Sequence, residues 1–123
     1  MKSQYTEADH RPLYEVKANL FKGLAHPVRV RVLELLAAED EVPVSALLTD
    51  TGLEPSHLSQ HLAVLRRHGL VSSERRASQV YYRLAHPAVA EFLAVARRLL
   101  VEVLDDTRRQ LDATATLPPV GRS

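Results

Sequence analysis

Four polar side chains near the middle of the chain carry hydrogen-bonding groups of the kind that recognise nucleic-acid bases. Ser56, His57, Ser59 and Gln60 lie close together in the sequence. A glutamine can pair bidentately with adenine, and a serine hydroxyl can donate or accept a hydrogen bond at a base edge. This combination predicts contact with the major groove of double-stranded DNA, because an ordinary exposed helix would be richer in glutamate and lysine.

Three leucines predict that these side chains share one face of a helix. On a wheel of about 100° per residue, Leu58, Leu62 and Leu65 fall together and must face the core. The opposite face then carries small or hydrogen-bonding residues: Ser56, Gln60, Ala63 and Arg67, flanked by His57 and Ser59. The N-terminus of such a helix also favours a phosphate through its unpaired amide groups.

A basic β-ribbon is predicted to follow this helix. Residues 71–76 and 79–84 read as two strands of a hairpin. Arg75, Arg76 and Gln79 flank its turn, and we expect them to contact phosphate or the minor groove, which adds affinity with little sequence information. The alternative is a solvated hairpin tip. It is less favoured, because two adjacent arginines would repel each other.

The formal net charge of +1 conceals an uneven distribution along the chain. Residues 55–84 hold five arginines and one glutamate, a net +4, whereas the acidic residues in residues 39–54 give −5. A basic stretch beside an acidic one is typical of a surface that binds and orients a polyanion. Ordinary solvated surface charge is an alternative that the charges alone leave open.

Histidine spacing raises the question of a metal site. His57 and His61 are four residues apart, but the stretch between them lacks the glutamate of a zinc-protease helix. We therefore interpret His57 as a groove contact and His61 as a packed, hydrogen-bonded residue. The other candidates for a non-standard metal site are Asp9, His10, His26 and His86. A proline follows each of the last two, which suits helix starts, so we assign no metal and no cofactor and leave the question open.

Several chemical classes are excluded or disfavoured. The sequence has no cysteine, which removes disulfides, thiolate metal sites and cysteine nucleophiles. It also has no glycine-rich phosphate loop, no nucleophile elbow and no pair of histidines with a carboxylate. Asp105 and Asp106 are adjacent rather than convergent, so they make a poor acid–base pair. We therefore predict that the protein is not an enzyme.

Prolines and glycines divide the 123 residues into the elements of one domain. Helices are expected near residues 12–24, from Pro27, from an N-cap at Ser45 to Gly52, from Pro55 to Gly69, and from Pro87 for more than five turns. The third and fourth form a candidate helix-turn-helix. The fold class is mainly α with a two-stranded β wing, in the order ααααββα. We predict a flexible arm at residues 1–11, a DNA-binding and dimerisation domain at residues 12–113, and a flexible tail at residues 114–123.

The first and last helices carry more apolar surface than a core of this size needs. Packing across a two-fold axis against a second copy would bury it, whereas covering the core of one monomer is the alternative. No apolar run approaches the roughly 20 residues that span a bilayer. The N-terminus lacks the apolar region of a signal peptide, so we expect a cytoplasmic protein that does not contact a membrane.

Three blocks of sequence together resemble the ArsR/SmtB family of winged helix-turn-helix repressors. They are LAHPVRVRVL at residues 24–33, LSQHLAVLRRHGLV at residues 58–71 and VYYRL at residues 80–84. The resemblance covers roughly residues 13–105. It implies a homodimer that binds a palindromic operator and releases it when an effector binds. It also implies that Ser56, Ser59 and Gln60 read bases.

The chain departs from this family at the positions where many members sense metals. Residues 44–48 offer no ligand, and the positions that match the sensing set of the last helix are His86, Ala88, Leu99 and Glu102, of which two cannot ligate. The hairpin tip has Ala77 and Ser78 where glycine is usual. We therefore predict a repressor with an unknown effector other than a thiolate-bound metal. The alternative function is a winged-helix module that binds protein without specific DNA binding.

Overall fold

The computed structural model describes residues 11–116, which form five helices and three short strands. The elements are α1 (Leu13–Leu24), α2 (Pro27–Ala38), β1 (Val42–Pro43), α3 (Val44–Thr51), α4 (Pro55–Arg67), β2 (Val71–Arg76), β3 (Gln79–Leu84) and α5 (Pro87–Ala115). Of the described residues, 11–90 form one compact unit and 91–116 form a second. The mainly α fold class with a β wing is confirmed.

Helix ends lie where proline and glycine predict them. His26 is the N-cap of α2, and its Nδ1 accepts a hydrogen bond from the Val28 amide at 3.1 Å. Gly52 follows α3 in the left-handed conformation, with φ of 67°, and Gly69 follows α4 with φ of 73°. Both glycines therefore end helices as expected, because a side chain would disfavour this backbone conformation.

The predicted N-cap of α3 at Ser45 is wrong. The cap is Pro43, which makes no side-chain capping hydrogen bond, and Ser45 lies inside the helix. The reason is that strand β1 runs directly into α3, so the extended residue before the helix is the proline itself.

The sheet has three strands rather than the two of the predicted wing. Its order is β1-β3-β2, and both pairings are antiparallel. The hairpin of β2 and β3 has the predicted limits, with Arg76 opposite Gln79. Strand β1 pairs Val42 with Tyr82 and was missed, because two residues that include a proline give no alternation to detect.

The core of the first unit is built from leucine and valine of α2, α3 and α4. Its largest fully buried side chains are Leu33, Leu36, Leu47, Leu58, Leu65 and Val32. Tyr82 of β3 is buried as well, and it places the base of the wing against this core. Helix α4 packs against α1, α2 and β2, so its inner face is fixed from three sides.

Helix α5 continues to Ala115, two residues into the segment predicted as a tail. Thr114 belongs to the helix, and its hydroxyl donates to the Gln110 carbonyl at 2.8 Å. The predicted arm up to residue 10 and the tail from residue 117 lie outside the described residues. Within residues 11–116, no helix is long and apolar enough to cross a membrane.

Candidate nucleic-acid interface

Helix α4 presents the predicted polar face to solvent. Leu58, Leu62 and Leu65 are buried, at 1%, 3% and 0% exposure. The polar residues on the other side are all exposed, namely Ser56, His57, Ser59, Gln60 and Arg67. Ala63, which the wheel also places there, is half-buried. The helix can therefore lie in a groove through its first two turns, whose side chains are short and hydrogen-bonding.

The start of α4 has no side-chain cap. Glu54 is the N-cap and makes no side-chain capping hydrogen bond, and Pro55 occupies the first turn. The amides of His57 and Leu58 bond back to the Glu54 carbonyl, at 3.0 and 3.1 Å. The helix dipole still favours an anion at this end.

Helix α3 is held against α2 by a two-pronged ion pair. Nε and Nη2 of Arg31 each donate to one carboxylate oxygen of Asp50, at 2.9 Å each. This hydrogen bonding lowers the pKa of Asp50 and raises that of Arg31. Because Asp50 precedes the turn at Gly52, the pair fixes the helix that leads into α4.

The wing turns through a residue with an unusual backbone. Ala77 has φ of 54°, a left-handed conformation that an L-residue with a side chain adopts at a cost. Two-residue hairpin turns require such conformations, and glycine or asparagine usually supplies them. The tip of the wing is therefore strained at the position where the sequence lacks glycine.

The adjacent arginines of the wing, Arg75 and Arg76, lie on opposite faces of the hairpin. Arg75 pairs across the ladder with Val80, and Arg76 pairs with Gln79, so alternation turns their side chains apart. The guanidinium of Arg76 lies 4.0 Å from the centre of the Tyr81 ring. It also pairs with Glu41 and lies 3.5 Å from Glu74.

The partners of Arg76 alter how it can act. Its hydrogen bond with Glu41 lowers the pKa of that carboxyl and raises the pKa of the guanidinium. The carboxylate of Glu41 therefore neutralises part of the positive charge of Arg76 within the protein. The alternation of a β-strand could have predicted that Arg75 and Arg76 lie on opposite faces, but nothing in the sequence pointed to Glu41 as a partner.

A cleft of about 500 Å³ separates α4 from the wing. Its polar lining includes three predicted contact residues, Ser59 from α4 and Arg75 and Gln79 from the wing. Ser45 and Ser78 also line it, and sequence reasoning missed both as contacts. The structure thus brings one residue predicted to read bases and two residues predicted to contact the backbone to the same cleft, and Arg76 is not part of its lining.

The histidines proposed for metal binding have other surroundings. His26 caps α2, and its ring centre lies 4.2 Å from that of His61. His61 is half-buried and hydrogen-bonded, as predicted. Within residues 11–116, no group of three or more histidines or carboxylates could hold a metal ion. Asp9 and His10 lie outside the described residues.

Comparison with known proteins identifies the family. The family model described as a helix-turn-helix domain matches residues 24–74. The HTH-type transcriptional regulator Rv0081 of Mycobacterium tuberculosis is 50% identical over 98 residues, which cover 80% of this chain and 86% of that protein. Its crystal structure superposes with a TM-score of 0.74 over 79% of this chain and 97% of the other.

A second structure carries the family name. The homodimeric winged helix-turn-helix DNA-binding domain of Mb0332 from Mycobacterium bovis, described as a possible ArsR-family regulator, is 34% identical. It covers 76% of this chain and 86% of that chain, with a TM-score of 0.69. The chain belongs to the ArsR/SmtB family of winged helix-turn-helix transcriptional regulators.

A third solved structure is similar to a comparable share of the chain. The transcriptional repressor BigR from Xylella fastidiosa is 34% identical over 70% of this chain and 87% of its own, with a TM-score of 0.64. Membership in the ArsR/SmtB family assigns DNA-binding transcriptional regulation to this chain. In that setting α3 and α4 are the helix-turn-helix, α4 is the recognition helix, and β2 and β3 are the wing.

Proposed function

We propose that the protein is a homodimeric repressor that binds a palindromic operator and leaves it when an effector binds. The observation that carries this proposal is the cleft in which Ser59 of the recognition helix and Arg75 and Gln79 of the wing converge. A duplex seated there would place a base edge beside α4 and a phosphate beside the wing. Repression is also named for relatives such as the biofilm growth-associated repressor of Xylella fastidiosa, 40% identical over 76 residues.

The residues divide by role. Ser56, His57, Ser59 and Gln60 would contact base edges, because they are exposed on the first two turns of α4. Arg67, Arg75 and Gln79 would contact the sugar–phosphate backbone. Arg76 would contribute less than Arg75, since Glu41 already pairs with its guanidinium.

Two exposed apolar surfaces support the dimer. On α1, the side chains of Leu13, Tyr14 and Phe21 are 66%, 73% and 52% exposed. The helix of the second unit exposes a longer series, namely Phe92, Val95, Leu99, Leu100, Val103, Leu104 and Leu111. Covering such surfaces with a second copy would remove them from water. Residues 12–113 would then be the DNA-binding and dimerisation domain.

We infer that the signal that releases DNA is an effector other than a thiolate-bound metal. A thiolate-bound metal cannot be that signal, because the sequence has no cysteine. Relatives are named as regulators, which supports a non-enzymatic role for this chain. We also infer a cytoplasmic location, because a regulator of this kind acts on the chromosome.

Selection of bound duplexes from a random pool tests the proposed function. The full chain should enrich sequences that hold two inverted half-sites about one helical turn apart. The same selection with a Ser59→Ala, Gln60→Ala variant is the matched control, and it should enrich the motif weakly or not at all. Failure of the wild-type chain to enrich any sequence above the starting pool would overturn specific repression and favour the protein-binding alternative.

A further inference from the structure

One arginine joins three helices of the first unit. Nε of Arg29, on α2, donates to the Gly23 carbonyl at 2.8 Å, and Nη2 donates to the Lys22 carbonyl at 3.2 Å. These carbonyls belong to the last turn of α1, where a cation is favoured. Nη1 of Arg29 lies 3.3 Å from Nδ1 of His61, in the middle of α4. The same side chain therefore ties α1 and the recognition helix to α2.

The Arg29 contact specifies the protonation state of His61. A guanidinium has donors and no acceptor, so Nδ1 of His61 must accept and carry no proton. The ring is then neutral, with its proton on Nε2. The neighbouring His26 ring also uses Nδ1 as an acceptor, from the Val28 amide. An imidazolium has no acceptor nitrogen, so protonating either ring breaks its hydrogen bond.

The surroundings of His61 oppose a positive charge. Burial is the largest influence that lowers the pKa of His61, and His26, Arg29 and His57 lower it further. The charged and titratable groups near the ring come from α2 and α4. Helix α2 supplies the Arg29 guanidinium, α4 supplies the His57 ring, and the two α1 carbonyls are occupied by Arg29.

A second histidine with a lowered pKa lies at the end of α4. His68 is half-buried, and its pKa is lowered by burial first and then by Arg67 and Arg29. Arg29 thus acts on two histidines of the recognition helix. Burial and these positive charges disfavour the charged form of both rings.

We propose that Arg29 is a positioning residue for the recognition helix and that it acts through the neutral ring of His61. We call the contacts of Arg29 with α1 and with His61 the junction. Acidification loosens this junction and weakens DNA binding. The proposal rests on the proposed function, since it supposes that α4 reads DNA. His61 itself is half-buried and lies on the inner side of α4, away from Gln60. Its effect on DNA is therefore indirect.

The sign of the effect follows from proton linkage. His61 has a lower pKa in the folded state than the usual value of about 6.5. The stability it contributes is present above the unfolded-state pKa and is lost as the pH falls through the lower folded-state pKa.

The first test needs no DNA. The ¹⁵N chemical shifts of the histidine rings, recorded for the full chain near pH 7.5, report which nitrogen carries the proton. We expect an unprotonated Nδ1 and a protonated Nε2 for His61, with a shift of Nδ1 in the variant Arg29→Gln. A proton on Nδ1 of His61 in the wild-type chain would overturn the proposal.

The second test measures DNA binding and unfolding across the same pH range. His61→Gln keeps a side-chain oxygen that can accept from Arg29 and cannot be protonated, and His86→Gln is the matched control at an exposed histidine outside the junction. The probe is the tightest duplex from the random-pool selection. From about pH 7.5 to about pH 5.5, wild type and His86→Gln should bind roughly threefold to tenfold more weakly, while His61→Gln should weaken by a smaller factor.

Urea unfolding keeps this test independent of the proposed function. Wild type should lose stability over the same pH range, and His61→Gln should lose less of it. A His61→Gln variant with the full wild-type pH dependence of unfolding would refute the role of His61, even if no duplex were selected. The selection could fail to enrich a duplex while the histidine protonation and the pH dependence of unfolding agreed with expectation. That result would refute the proposed function, but it would still support the role of Arg29 and His61 in packing α4.

Discussion

The ring of His68 occupies the space that a side chain on Gly23 would need. A Cβ atom built at Gly23 would lie 2.6 Å from Cγ and Cδ2 of His68 and 2.9 Å from Nδ1. Real Cβ contacts are not this short, so α1 and the end of the recognition helix can approach only because residue 23 has no side chain. A glycine that weakens α1 as an isolated helix is thus the residue that lets α1 pack against α4.

Gly23→Ala should therefore destabilise the protein. The alanine would favour the helix by up to about 1 kcal/mol, but displacing a packed ring typically costs about 1–3 kcal/mol, so a net loss near 1 kcal/mol is expected. Urea unfolding measures it. In the background of His68→Ala, which removes the ring, the same change should become neutral or stabilising. An equal loss in both backgrounds would contradict the close packing of these two residues.

Ala77→Gly should stabilise the wing. Ala77 is the one non-glycine residue of the described chain with a positive φ, and the left-handed conformation costs such a residue roughly 1–2 kcal/mol. Part of this gain is offset because glycine has more freedom when unfolded, so a gain of about 0.5–1 kcal/mol is expected. Thermal unfolding measures the gain. Ser78→Gly is the matched control and should not stabilise, since Ser78 lacks a positive φ.

Arg75→Ala and Arg76→Ala should differ in the salt dependence of DNA binding. Loss of one phosphate contact lowers the slope of log K against log salt by about 0.9. We expect that change for Arg75→Ala, whereas Arg76→Ala should lower the slope less because Glu41 already pairs with its guanidinium. In a Glu41→Gln background, Arg76 still lies near Glu74, and its removal should lower the slope more than it does with Glu41 present. Equal slopes for the two single variants would show that the Glu41 pair does not withhold Arg76 from DNA.

Gln60→Ala should relax base preference rather than affinity for DNA in general. A lost bidentate base contact reduces discrimination by about 1–3 kcal/mol. Competition between the selected duplex and a scrambled duplex measures this difference. Gln79→Ala, at the edge of the wing, is the control and should weaken binding to both duplexes alike. If the two variants changed discrimination by the same amount, the division between base-reading and backbone contacts would be wrong.

Much of the fold could be predicted because local signals and tertiary packing agree. Prolines and glycines mark helix ends through backbone constraints that act within a few residues, and the buried leucines of α4 follow directly from helical spacing. The hairpin limits followed from alternation in the same way. Where only tertiary contact decides, prediction failed. Strand β1 exists because β3 pairs with it, and that pairing makes Pro43, rather than Ser45, the cap of α3.

In the candidate site, too, local features could be predicted from the sequence and long-range contacts could not. Exposure of the α4 polar residues could be read from the wheel, because one buried face implies the other. The pairing of Arg76 with Glu41 joins residues 35 positions apart, and no local pattern encodes it. The contact of Arg29 with His61 spans 32 positions and was equally hidden, although a packed, hydrogen-bonded His61 could be predicted. Long-range polar partners depend on how the elements dock, which the sequence pattern does not specify.

The most direct test of the central claim is the binding stoichiometry and affinity of the full chain on a selected duplex and on the same duplex with one half-site scrambled. We expect two chains to bind the intact duplex together, and the loss of one half-site to weaken binding by at least about tenfold. Equal affinity for the intact and scrambled duplexes, or binding of a single chain to the intact one, would contradict a dimeric regulator that reads a palindromic operator.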